Sequence, residues 1–95
     1  MALFAVYNLD NAGALQIRLD NRPAHVEFLK ALGDSLFLAG PLLSDDGETM
    51  IGSLVVVDFP DLAAAQAWAA EDPYAKAGLF ASSTVKPFKK VLPAA

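Results

Sequence analysis

The 95-residue chain has no cysteine, which excludes a disulfide framework, a zinc ribbon and a thiol nucleophile and points to the reducing cytoplasm. Positive charge is also scarce: seven Lys and Arg stand against eleven Asp and Glu, for a net charge of −4 and a pI near 4.6. A surface that tracks phosphates needs the opposite sign, so nucleic acid is not an expected partner. No apolar run approaches the ~20 residues of a membrane helix, and the opening MALFAVYNLD lacks the basic start of a secretory signal. A soluble chain with no membrane partner is expected. There is one histidine, His25, and there is no GxGxxG, Walker loop, HExxH, GxSxG or metal-spaced cluster. Neither a cofactor nor a metal is therefore expected.

What is present is apolar: 55% of residues are hydrophobic and the mean hydropathy is +0.38, with only six Gly and six Pro. The length suits one domain over residues 1–95. A domain this small hides only somewhat more than ~60% of its unfolded surface, so so apolar a chain calls for further cover, and self-association is the first candidate.

Leu3 to Leu9 reads as a strand, followed by a turn at Asp10-Asn11. Ala12 to Leu19 has helical composition interrupted by Gly13, and Pro23 suits the first turn of a helix from about Pro23 to Leu32. Its inward stripe is His25, Phe28, Leu29 and Leu32, and Gly33 is placed to end it. Ser35 to Ala39 is a short apolar run stopped by Gly40-Pro41, and Asp45, Asp46, Gly47 and Glu48 make a loop tip. Ile51 to Phe59 is the strongest strand, apolar on both faces. Asp61 caps an Ala-rich helix that stops by Glu71; Asp72 caps a short helix that starts at Pro73 and ends at Gly78. Phe80 to Leu92 reads as an edge strand, where Pro87 is tolerated. The order is that of an α+β, ferredoxin-like βαββαβ fold, and its second apolar sheet face predicts a homodimer packed sheet to sheet.

Taken alone, His25 on an apolar stripe is better explained by a satisfied core or interface histidine than by a catalytic one, and Asp72 by a helix cap. A capping carboxylate nevertheless keeps lone pairs for an imidazole N–H. Arg22, beside His25, could orient an anionic substrate.

Several segments, taken in order, resemble the YciI family: Arg22-Pro23-Ala24-His25, Ala39-Gly40-Pro41, Gly52-Ser53, Ala67-Trp68-Ala69, Asp72-Pro73-Tyr74, Ala77-Gly78, and Val85-Lys86-Pro87-Phe88-Lys89-Lys90-Val91. The resemblance covers essentially the whole chain. It implies a ferredoxin-like fold dimerised as an α+β barrel, and a His-Asp centre at His25 and Asp72. Similar barrels serve isomerases, monooxygenases and dehydrohalogenases of small aromatic compounds, an analogy of fold only.

A histidine held by an aspartate is arranged as a general base, suited to removing a proton next to a carbonyl or phenol, with isomerisation or elimination to follow. The expected substrate is a small, oxygen-rich, anionic organic molecule bound by Arg22, Gly40, Pro41, Gly52, Ser53 and Tyr74. Among these, Ser53 and the backbone N–H groups near Gly40 and Gly52 would hold a developing oxyanion. The rival readings are a dimeric module that binds a metabolite or divalent metal without turnover, and a structural dimer with an empty cleft.

Overall fold

Side-chain alternation along the central strands decides how the sheet is used. In the computed structural model, which describes residues 2–94, the elements run β1 (Ala2–Asp10), α1 (Leu15–Lys30), β2 (Leu36–Leu43), β3 (Met50–Phe59), α2 (Leu62–Ala70), α3 (Pro73–Lys76) and β4 (Phe80–Phe88). The strands form one antiparallel sheet in the order β2-β3-β1-β4, the ferredoxin-like arrangement expected from the pattern. Phe4 lies opposite Val57, Val6 opposite Val55 and Asn8 opposite Ser53. With a period of two, all six share the face that the helices cover, and all six are buried. Leu29 of α1 and Ala65 of α2 complete this core, and Phe28 stacks on Trp68 at 5.0 Å between ring centres to join the two helices.

The alternate residues behave differently. Ala5, Leu38, Leu54, Val56 and Phe88 border an apolar hollow of about 310 Å3 on the other face of the sheet. Phe37, Leu38 and Phe88 are each nearly half exposed there.

Helix α1 departs from the sequence expectation: it begins at Leu15, not near Pro23. Gly13 does not interrupt it. That residue, at φ 72°, makes the turn before the helix, a conformation that favours glycine. Pro23 lies in the helix interior, where it cannot donate to the carbonyl of Leu19. Both residues are exposed, so water can serve that carbonyl and the break is tolerated. β2 likewise runs on through Gly40-Pro41 to Leu43. As an edge strand it can hold a residue without an N–H, which also explains Pro87 in β4 at the opposite edge. β4 ends at Phe88, short of the expected Leu92.

The two caps fall where the sequence put them. Asp61 accepts from Ala64 N–H at 2.8 Å and Asp72 from Tyr74 N–H at 2.9 Å. Between them, α2 ends and α3 begins within three residues, which turns α3 toward α1.

Replacing Pro23 by Ala should restore the bond to Leu19 and raise stability by ~1–2 kcal/mol, after allowing for the freer unfolded chain. Denaturant midpoints measure this; an unchanged midpoint would show that the missing bond costs nothing.

Candidate active site

Helix α1 places Arg18, Arg22, His25 and Leu29 at i, i+4, i+7 and i+11, a single stripe facing the sheet and α3. His25 Nδ1–H donates to Asp72, with Oδ1 at 2.9 Å and Oδ2 at 3.1 Å. Both residues are buried. A carboxylate on Nδ1 fixes the proton there and leaves Nε2 as the acceptor; Nε2 has no hydrogen-bond partner among the described residues. The ring lies flat on Tyr74, 3.9 Å between centres and 15° between planes. Three contacts therefore orient one imidazole: its own helix, the Asp72 carboxylate and the Tyr74 face.

A second buried pair lies one end of α1 away. Arg18 Nε donates to Asp10 Oδ2 at 2.8 Å and Nη2 to Asp10 Oδ1 at 2.9 Å, a two-pronged ion pair joining α1 to the end of β1. Nη2 also donates to Ser53 Oγ at 3.0 Å. The guanidinium lies over the Tyr74 ring at 4.8 Å. Burial alone would lower the Arg18 pKa, but the Asp10 hydrogen bonds and charge, with a smaller contribution from Tyr74, outweigh it and hold the value above the ordinary one. The arginine stays charged.

These groups border a cavity of about 190 Å3. His25, Arg18, Arg22, Ser53 and Tyr74 supply its polar wall, and Leu29, Val55 and Met50 are among its apolar residues. Gly40 and Pro41 of β2 close one side. Of the residues expected from sequence to bind substrate, Arg22, Gly40, Pro41, Ser53 and Tyr74 thus meet at one place. Gly52 does not. It points to the opposite face of the sheet from its neighbour Ser53, and a Cβ there would meet the backbone carbonyl of Asn8, so its smallness serves the close approach of β3 to β1. Asp72 stands behind His25 and does not line the cavity.

Arg18 and Asp10 are the residues that sequence reasoning missed. The signal was their neighbour: Arg18 lies two helical turns before His25, which places both on one stripe once α1 is seen to start at Leu15. Among the described residues, no three His, Cys, Asp or Glu side chains are grouped as a metal ion requires. No described helix is long and apolar enough to cross a membrane.

Against known proteins, residues 2–89 match the YCII-related domain. The chain belongs to that family. It is 44% identical to the protein YciI of Escherichia coli, across 94% of this chain and 98% of that one. It is 40% identical to an uncharacterised protein of Haemophilus influenzae, across 93% and 97%. Among solved structures, it superposes with a TM-score of 0.83 and 34% identity on 5-chloro-2-hydroxyhydroquinone dehydrochlorinase (TftG) from Burkholderia phenoliruptrix, in complex with 2,5-dihydroxybenzoquinone, covering 92% of this chain and 93% of that one. The family expected from the residues is therefore the family found.

Burial pushes the Tyr74 phenol above its usual range, and the charges of Arg18 and Arg22 only partly oppose this. The folded protein thus holds the phenol proton longer than the unfolded chain does. Stability from this source is complete below ~10 and is lost as pH rises through the folded value. Alkaline titration followed by tyrosinate absorbance should show one late-ionising tyrosine, absent in Tyr74→Phe. A late tyrosine that survives in Tyr74→Phe would contradict the assignment.

Proposed function

We propose that the protein is a small-molecule enzyme in which His25, held by Asp72, acts as general base on a small, oxygen-rich ring compound, removing a proton so that isomerisation or elimination follows. The observation that carries this reading is the buried bond from His25 Nδ1 to Asp72 in a side chain that also lines the cavity. It assigns the tautomer, stabilises the imidazolium formed after proton transfer and leaves Nε2 to do the work.

The cavity supports the substrate class. An apolar cavity of ~150 Å3 accepts benzene. One of about 190 Å3 with Arg22, Arg18 and Ser53 in its wall suits a single ring bearing several oxygens. The similarity to a dehydrochlorinase of a hydroxylated aromatic ring, complexed with a dihydroxyquinone, supports the same chemistry: loss of a phenolic or α-carbonyl proton, with electrons moving into the ring and expelling a leaving group where one is present. Arg22 is assigned to attract the anionic form of such a substrate, and the reaction is assigned to the cytoplasm.

The same reading includes a homodimer joined through the open face of the sheet. The apolar hollow bordered by Leu38, Leu54, Val56 and Phe88 is a poor surface to leave in water. Covering ~600 Å2 of apolar surface at ~25 cal/mol per Å2 contributes ~15 kcal/mol before association costs, enough for tight pairing.

The test is a screen of hydroxylated and quinonoid rings for deuterium exchange, isomerisation or elimination, first with the wild type and then with variants. His25→Ala should lower kcat at least ~100-fold. Asp72→Asn should lose activity by a similar factor while changing stability by no more than ~1 kcal/mol, because Asn also caps helices well. Wild-type turnover by His25→Ala would move a binding module ahead of an enzyme. Normal turnover by an Asp72→Asn protein that merely melts early would leave Asp72 as a cap and nothing more. Light scattering at micromolar concentration should return twice the 10.0 kDa chain mass; a monomer mass would refute the dimer.

A further inference from the structure

Arg18 is almost wholly buried, at 3% exposure, yet not all of its donors are used. Nε and Nη2 are committed to Asp10 and Ser53. Nη1, with two N–H groups, bonds neither Asp10 nor Ser53, and the Tyr74 hydroxyl, which also interacts with the guanidinium, takes at most one of them; the side chain lines the cavity that His25 also lines. Unused donors on a buried cation are costly unless something accepts from them. Solvent can accept from them, and so can a substrate oxygen.

We propose that Arg18 is the oxyanion-holding residue of this site, its Nη1 receiving a phenolate or enolate oxygen of the substrate as His25 removes the proton. The inference rests on the proton-abstraction reading and adds to it the group that holds the charge so produced. The O–H bond breaks, its electron pair stays on oxygen opposite Nη1, and the proton passes to His25 Nε2. For a C–H next to a carbonyl, the pair moves onto the carbonyl oxygen at the same place.

The surroundings fit this role better than simple ion pairing. Asp10 grips the guanidinium by one edge and Tyr74 lies against its plane, so the third nitrogen is held still without being consumed. Ser53 accepts from Nη2 and keeps its own hydroxyl hydrogen as a neighbouring donor. Donors fixed in advance within a largely water-excluded wall stabilise developing charge most effectively. Charge also matches across the step: Arg18 is balanced by Asp10 before reaction, and the imidazolium that appears next to Asp72 accompanies the anion that appears next to Arg18. Arg22, exposed at the mouth, attracts a substrate but is less suited to hold a charge inside.

The test uses 2,5-dihydroxybenzoquinone as an anionic probe and hydroquinone as its neutral counterpart, with binding followed by calorimetry. Replacing Arg18 alone would strand Asp10, so the variant is Arg18→Met with Asp10→Leu, which removes both charges together. Wild type should prefer the anionic probe at least tenfold. The double variant should lose at least thirtyfold in affinity and the preference with it. If it binds as wild type does, or if wild type fails to bind at millimolar probe, the proposal is overturned. Should the double variant not fold, nitrogen-15 spectra of the wild-type arginine side chains decide: saturating probe should shift and slow the exchange of the Arg18 Nη1 protons, and unmoved signals overturn the proposal. A loss of probe binding in the double variant, together with unimpaired turnover by His25→Ala, would instead leave Arg18 as the anion holder and remove the proton-abstraction reading.

Discussion

One carboxylate, Asp72, joins two parts of the chain 47 residues apart and satisfies both. It accepts the Tyr74 N–H that opens α3 and the imidazole N–H from the third turn of α1. A buried anion is tolerated only when its lone pairs are taken up, so neither contact is optional. Once both form, α3 is fixed against α1, Tyr74 is brought flat onto His25, and its far reach sets the plane against which Arg18 lies. The geometry of the cavity wall follows from that one requirement. Tyr74 and Leu79, both fully packed, supply the apolar cover that keeps water from competing for the carboxylate.

Two acid–base pairs of different kinds are buried beside the cavity of this 95-residue domain, each with its cationic or imidazole member in the wall and its carboxylate behind. Arg18–Asp10 is a permanent ion pair; His25–Asp72 is one only when the ring is protonated. Buried pairs contribute little net stability compared with well-packed apolar residues, and their upkeep depends on complete hydrogen bonding. Two of them within one small core fit the proposed role of a site held ready for charge to move. The apolar core of Phe4, Val6, Val55 and Val57 lies directly beside them and carries the stability they do not.

Much of this architecture was legible in the residues. Alternation in β3 specifies a strand buried on one side and apolar on the other, and Asp61 and Asp72 announce their helices because few residues cap as well. Pattern alone favoured a core or interface histidine at His25, since an inward stripe is where such residues lie; the family resemblance turned the reading toward a reactive one. The first half of α1 was hidden by two residues that usually mark boundaries. Gly13 proved to be the turn before the helix and Pro23 a tolerated interior residue with its lost bond facing water. With the helix start misplaced, Arg18 fell outside any element and its partner Asp10 looked like a turn residue. Their pairing depends on the end of β1 meeting the first turns of α1, a tertiary fact with no local signature. Gly52 was misassigned for a simpler reason: adjacent strand residues point to opposite faces, so Ser53 in the cavity requires Gly52 outside it.

The wall formed by β2 differs from the rest of the cavity in what it contributes. The polar machinery comes from α1, β3 and α3, all packed on several sides, whereas β2 is bonded to the sheet along one edge and presents only Ala39, Gly40 and Pro41 to the cavity. A larger side chain or a shifted backbone there would change the shape and size of what fits without disturbing a single hydrogen bond of His25, Asp72, Arg18 or Asp10. The proposed chemistry and the shape of the cavity are thereby carried on separate pieces of chain. On the proposed reading, such a division would let one scaffold diversify toward new ring compounds by small changes at a sheet edge, while the residues assigned to move protons stay where they are.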